Sequence, residues 1–170
     1  MKRLILVSLV SLGAGCSVDD GTTPTCIAAT TDTCSGDQVC IGTTCQAAFP
    51  HMYAITNLSI TAPNLRPDGM PWDPDADGTP DLYADISVGG ALVATTDVVE
   101  NSYNATFQGP YAVMLDADVA IDVKASDKDD TTSELVYDCS VPMVSALLLR
   151  VRTVLCSGTG VTLNYKINPI

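Results

Sequence analysis

From His51 to Ile170 short apolar runs alternate with polar positions two residues apart, broken by Gly, Pro, Asn and Asp. A period of two is the signature of half-buried strands. It predicts strands over 53–61, 82–88, 91–98 after the Gly89-Gly90 turn, 104–107, 111–115 and 119–124. A short one is expected at 135–137, and two more over 147–155 and 161–167. In 119–124, Val119, Ile121 and Val123 point inward, with Asp122 and Lys124 outward. In 147–155, Leu147, Leu149 and Val151 make the apolar face beside Arg150 and Arg152. Only 141–149 approaches a helical period. Many short strands at turn-punctuated spacing predict one antiparallel β-sandwich over 51–170, long enough to bury a core.

The first residues follow a different rule. Lys2 and Arg3 precede an apolar run from 4 to 12 broken only by Ser8 and Ser11, and Gly13-Ala14-Gly15 precedes Cys16. This is a secretory signal whose apolar run is too short to span a bilayer. Small residues directly before a cysteine resemble a bacterial lipobox. That resemblance implies a lipoprotein signal over 1–15 and a lipid on Cys16; the alternative is an ordinary signal with Cys16 incidental. Residues 16–25 continue as a polar tether. The expected location is the bacterial cell envelope, lipid-anchored at the outer membrane on its periplasmic or outer face.

Of the seven cysteines, setting Cys16 aside leaves an even set: Cys26, Cys34, Cys40, Cys45, Cys139 and Cys156. Behind a secretory signal this predicts disulfides. Their spacing lacks the C-x2-C pairs of a zinc site, and His51 is the single histidine. Four of the six fall within 26–45, too short a segment to bury its own core and so held by crosslinks, with three pairings open. This knob serves as a spacer or a partner-binding element. Cys139 and Cys156 are expected to clip a loop between late strands.

Chemistry concentrates in two acidic turns. Asp73, Asp75, Asp77 and Asp81 crowd among Pro74, Gly78 and Pro80 and run straight into the strand 82–88. A second turn over 125–132 carries Asp127, Asp129 and Asp130 behind the strand 119–124. If a sandwich brings both turns to one end, seven carboxylates converge, tolerable in water or around a hard cation. The D-x-D-x-D-G opening resembles half an EF-hand loop. The twelfth position from Asp73 is Ala84 where a Glu is needed, and no amphipathic helices flank it, which excludes a true EF-hand. A calcium site with oxygen ligands and a pair of solvated turns remain as readings.

Charge narrows the partners. Without Lys2 and Arg3, 6 basic residues face 20 acidic ones, and the net charge falls from −12 to −14. Nucleic acid is excluded, and anionic lipid has no direct attraction without a bridging cation. No nucleophile has an identifiable base, and His51 stands alone at the domain edge, so an enzyme is not expected.

Three pieces in order carry a resemblance over 53–170. Asp75-Ala76-Asp77-Gly78-Thr79-Pro80-Asp81-Leu82-Tyr83 is similar to the first calcium loop and following strand of C2 domains. Thr96-x-Val98 with Asn101-Ser102-Tyr103-Asn104-Ala105-Thr106-Phe107 resembles the family's threonine and N-P-x-W-N-E-x-F stretch, with Ser102 in place of Pro. Ile121-Asp122-Val123-Lys124-Ala125-Ser126-Asp127 resembles its strand ending in V-x-D-x-D, with Ala125 where the first third-loop Asp stands. The resemblance implies an all-β fold: a single antiparallel eight-stranded C2-like β-sandwich behind a small disulfide-rich segment. It implies Asp75 and Asp81 as first-loop calcium ligands, with Asp73 an alternative first ligand. It implies Asp127 in the third loop, followed by Asp129 or Asp130. The expected function is a non-catalytic, low-affinity calcium-binding module on a lipid-anchored protein, meeting phospholipid or an envelope protein through its calcium loops. The alternative is a calcium-independent protein-interaction sandwich whose acidic loops are solvated turns.

Overall fold

In the computed structural model the described residues are 32–73, 78–129 and 132–170. The signal segment, Cys16, Cys26, Asp75, Asp77 and Asp130 lie outside them. Alternation becomes strand almost throughout. The knob contributes β1 (Gln38–Ile41) and β2 (Thr44–Ala47), and the sandwich runs through β3 (His51–Thr61), β4 (Leu82–Val88), β5 (Ala91–Thr95), β6 (Asn104–Thr106) and β7 (Tyr111–Leu115). It continues with β8 (Ile121–Lys128), β9 (Ser133–Val141), helix α1 (Ala146–Val151), β10 (Thr153–Gly158) and β11 (Val161–Pro169).

Two antiparallel sheets result. One has the order β10-β11-β3-β6, with β7 also pairing β3; the other is β5-β4-β8-β9. Because β6 and β7 pair successive halves of β3, the nine sandwich segments fill eight strand positions. Leu82, Ala84 and Ile86 of β4 and Ile121, Val123 and Ala125 of β8 share one core with Ile55, Leu163 and Ile167 of the facing sheet. Each Val, Leu or Ile so buried contributes on the order of 2 kcal/mol, and each alanine methyl under about 1 kcal/mol.

Two expectations need correction. The strand expected over 147–155 is instead α1 followed by β10. Ser145 caps the helix, its Oγ accepting from Leu148 N at 3.3 Å, and Arg152 ends it in the left-handed region at φ 63°. The buried pair is Ala146 and Leu149, three apart, a helical spacing that outweighs the alternation of Leu147, Leu149 and Val151. The second correction is that β8 does not stop at Lys124. It pairs β4 and β9 as far as Lys128, so Ala125 is a core residue and the turn behind it is short.

The registers define two poles. Thr61, Leu82, Asp127 and Ser133 meet at one, where loop 96–103 gathers with the described parts of loops 62–81 and 129–132. His51, Val88, Ile121 and Val141 meet at the other, beside α1 and the knob. The knob is docked there. Cys34 pairs with Cys45, Cys40 is disulfide-bonded as well, and Val39 and Ala48 join the sandwich core. Arg150 donates through Nη1 to Cys34 O and through Nη2 to Gly36 O at 3.1 Å. Arg152 Nη2 donates to Cys40 O at 2.8 Å and lies 3.9 Å from Asp32 Oδ2. The Asp32 carboxylate accepts from Cys34 N and Cys40 N at 3.0 and 2.7 Å. Cys139 and Cys156 do form a disulfide, and it joins β9 to β10, the edge strands of the two different sheets.

Candidate functional site

At the loop pole the two acidic turns meet through paired backbone. Leu82 stands opposite Asp127 in the β4–β8 ladder, and Lys128 N donates to Asp81 O at 2.9 Å. Asp127 continues the inward series Ile121, Val123, Ala125, so its carboxylate caps the core and is 1 % exposed. Its Oδ1 accepts from Asp81 N at 2.6 Å. Its Oδ2 is buried with no hydrogen-bond partner. Burial holds the Asp127 carboxyl above the usual carboxylate range; the Asp81 N–H opposes this, and the charges of Asp129, Asp81 and Glu134 add to it.

Asp81 is half-buried, and its Oδ1 accepts from Asn101 N at 2.7 Å. Ser102 N donates to Pro80 O at 2.9 Å, and Tyr103 Oη donates to Gly78 O at 3.0 Å, so loop 96–103 is laced to the end of loop 62–81. Gly78 sits at φ +76°, where a Cβ would meet Pro71 Cβ at 3.3 Å, so both backbone and space favour glycine. Trp72 is buried and donates Nε1–H to Pro63 O at 2.7 Å, closing the long loop on itself. Asp73 is half-buried at the edge of the described loop. Asp129 bonds locally, its Oδ2 accepting from Thr132 Oγ1 at 3.1 Å.

Four residues at this pole carried no sequence-based role. Glu134 lies opposite Asp127 across the β8–β9 ladder. Arg66 reaches it with Nη1, 2.7 and 2.6 Å from its two oxygens, and grips Asp68 through Nη2 at 2.7 Å. That guanidinium holds the Asp68 carboxyl below the ordinary range. The available signal was that Arg66 is the single lysine or arginine between Arg3 and Lys124, set in the loop that leads to the acidic cluster. Trp72, the chain's one tryptophan, was a second.

The structure therefore brings Asp81 and Asp127 into one bonded unit. Asp129 lies near enough to act on the Asp127 carboxyl, Asp73 stands at the edge of the described part of its own loop, and Asp75, Asp77 and Asp130 lie outside the described residues. Among the described residues no group of three His, Cys, Asp or Glu side chains is close enough to hold an ion. A half-satisfied buried carboxylate next to other carboxylates is nevertheless the chemistry a hard cation fits.

Two four-position sheets with three loops gathered at one pole define a C2-like fold, and solved structures agree. A structure titled as that of a C2 domain superposes with TM-score 0.50 at 18 % identity, covering 69 % of this chain and 97 % of its own. Extended-synaptotagmin 2, in a structure holding its SMP domain and two C2 domains, gives 0.54 at 11 %, covering 70 % and 27 %. A C2 domain of plant extended synaptotagmin 1 gives 0.51 at 9 %, covering 71 % and 96 %. The chain spans about a sixth of human GIVD cytosolic phospholipase A2, which it also matches, at 16 % of that chain. No family model matches the sequence, and no curated protein matches it. The likeness is one of fold.

Proposed function

We propose that this is a non-catalytic, calcium-binding C2-like module held at the bacterial outer membrane by a lipid on Cys16. The observation that carries the calcium reading is Asp127, a carboxylate buried at the end of a core strand with one oxygen lacking a donor and three acidic neighbours. A fold leaves such a half-satisfied group in place at a cost of about 1–3 kcal/mol unless something positive completes it. Asp127 and Asp81 would hold the ion with Asp129 nearby, and Asp73, Asp75, Asp77 and Asp130 stay as the further ligand candidates of the sequence reading. Bound calcium supplies positive charge there, together with open positions for a phosphate or carboxylate oxygen of a phospholipid or envelope-protein partner. Asn101 N–H and Asp81 N–H orient the two carboxylates, and Tyr103 fastens the loop that carries Gly78. The calcium-bound form of the paired C2 domains of extended-synaptotagmin 2 shares this fold and supports the reading.

Ala125 in the core removes one third-loop carboxylate, so the affinity expected is that of extracellular modules, about 10⁻⁴ to 10⁻³ M. The test is the melting temperature of residues 17–170 in EDTA and in excess calcium. At about a hundred times the dissociation constant, calcium stabilises by roughly 2.7 kcal/mol, a rise on the order of ten degrees. Magnesium should not reproduce it, and joint Asp81→Asn and Asp127→Asn substitution should abolish it. No shift with calcium would return the molecule to a calcium-independent interaction sandwich.

A further inference from the structure

The knob pole carries an apolar stripe that the fold leaves uncovered. Met143, Leu147 and Val151 are 63, 65 and 62 % exposed. A spacing of four puts Leu147 and Val151 on one face of α1, away from Ala146 and Leu149, which enter the core. Met143 stands four residues earlier, in the turn that leads to the helix.

The first described residue lies beside this stripe. Asp32, the first described residue, lies 3.9 Å from Arg152, the residue that ends α1. Arg150, inside α1, donates to Cys34 O and Gly36 O. Asp32 follows Cys16 by sixteen residues, so a lipid carried on Cys16 lies within about 55 Å of it.

We propose that the Met143, Leu147 and Val151 stripe rests on the bilayer that holds the Cys16 lipid, so that the knob pole faces the anchoring membrane and the acidic loops face away from it. This rests on the lipid-anchor part of the function proposed above. A chain of net charge −14 has no electrostatic attraction to lipid, so the contact is apolar and weak by itself. Tethering makes it intramolecular and raises the effective concentration of the surface it meets. The acidic loops, at the opposite pole, would then take a partner from outside the home membrane.

The experiment uses residues 17–170 with an N-terminal polyhistidine tag, on phosphatidylcholine vesicles containing nickel-chelating lipid and nitroxide-labelled lipid. Leu147→Trp and Leu65→Trp place a reporter on the stripe and at the loop pole; both positions are exposed, and buried Trp72 is a common background. On tethered protein the emission at 147 should shift to the blue and be quenched by the nitroxide, and imidazole should reverse both. Emission at 65 should not change. Val151→Trp repeats the reading one turn further along should Leu147→Trp disturb the helix. Absence of quenching at both 147 and 151, or quenching at 65, overturns the proposal. The artificial tether separates this outcome from the natural anchor, which the mass of residue 16 in the full chain reports independently.

Discussion

At the knob pole two guanidinium groups meet three carbonyl oxygens and the Asp32 carboxylate; at the loop pole the buried Asp127 carboxylate meets one N–H and three other acids. Both poles bury charge, but only the first supplies the opposite sign from within the chain. Among buried atoms, Arg150 and Arg152 leave their Nε atoms without hydrogen-bond partners, whereas Asp127 leaves a carboxylate oxygen. Arg66 could have played the corresponding role for Asp127 but is directed to Glu134 and Asp68 at the margin. A pole completed internally is a structural joint. On the function proposed above, the pole left short of positive charge is where the ion would sit.

That contrast can be broken at several strengths. The largest effect is expected from Arg152→Asn, which keeps a residue suited to the left-handed backbone but removes the cation from Asp32 and Cys40. Breaking one side of such a buried set costs on the order of 3–5 kcal/mol, read by urea unfolding, and the calcium response should survive. Next comes joint Cys139→Ser and Cys156→Ser substitution. Opening a bridge that closes a loop of 17 residues should cost roughly 3 kcal/mol, again leaving the calcium increment intact.

Alkaline pH attacks the knob pole more gently. Tyr53 donates to Ala48 O at 2.9 Å, and burial, partly offset by Arg152 and reinforced by Asp32, pushes its hydroxyl up to about 12. A folded value above the unfolded one gives stability that is complete below pH 10 and lost as pH rises toward 12. About 1.4 kcal/mol should be gone by pH 11, with tyrosinate absorbance rising in the same transition. The smallest effect, and the one of opposite sign, concerns the loop pole. Because folding raises the Asp127 carboxyl, its ionised form opposes folding at neutral pH, and this opposition fades as pH falls through the folded value. Asp127→Asn should therefore stabilise the protein by about 1 kcal/mol in EDTA and lose the gain from calcium, so that the two melting curves coincide.

Much of the sandwich was legible because its strands face a core on one side only. Segments 82–88 and 111–115 were read with their true bounds, since apolar alternation and turn residues coincide there. Alternation failed over 147–155, where Leu, Leu and Val at every second place suit a strand and a three-residue helical spacing equally. It also ended β8 too early. An aspartate in the inward phase reads as loop by composition, although Ile121, Val123, Ala125 and Asp127 keep the period unbroken. Asp81 and Asp127 were legible as candidates from the family pattern. That Asp127 lies inside the protein, and that Arg66 reaches Glu134 across 68 residues, depends on pairing that no local window contains. The cross-sheet position of Cys139 and Cys156 was hidden for the same reason.

The two poles lie at opposite ends of the strands, and this has a mechanical consequence. A pull between Asp32 and anything gripped by the loops runs along β3, β11, β4 and β8 rather than across them. Antiparallel ladder bonds stand perpendicular to their strands, so such a load shears many of them together instead of opening them one after another. The disulfide between β9 and β10 adds a covalent rivet across the side where the two sheets would otherwise slide apart.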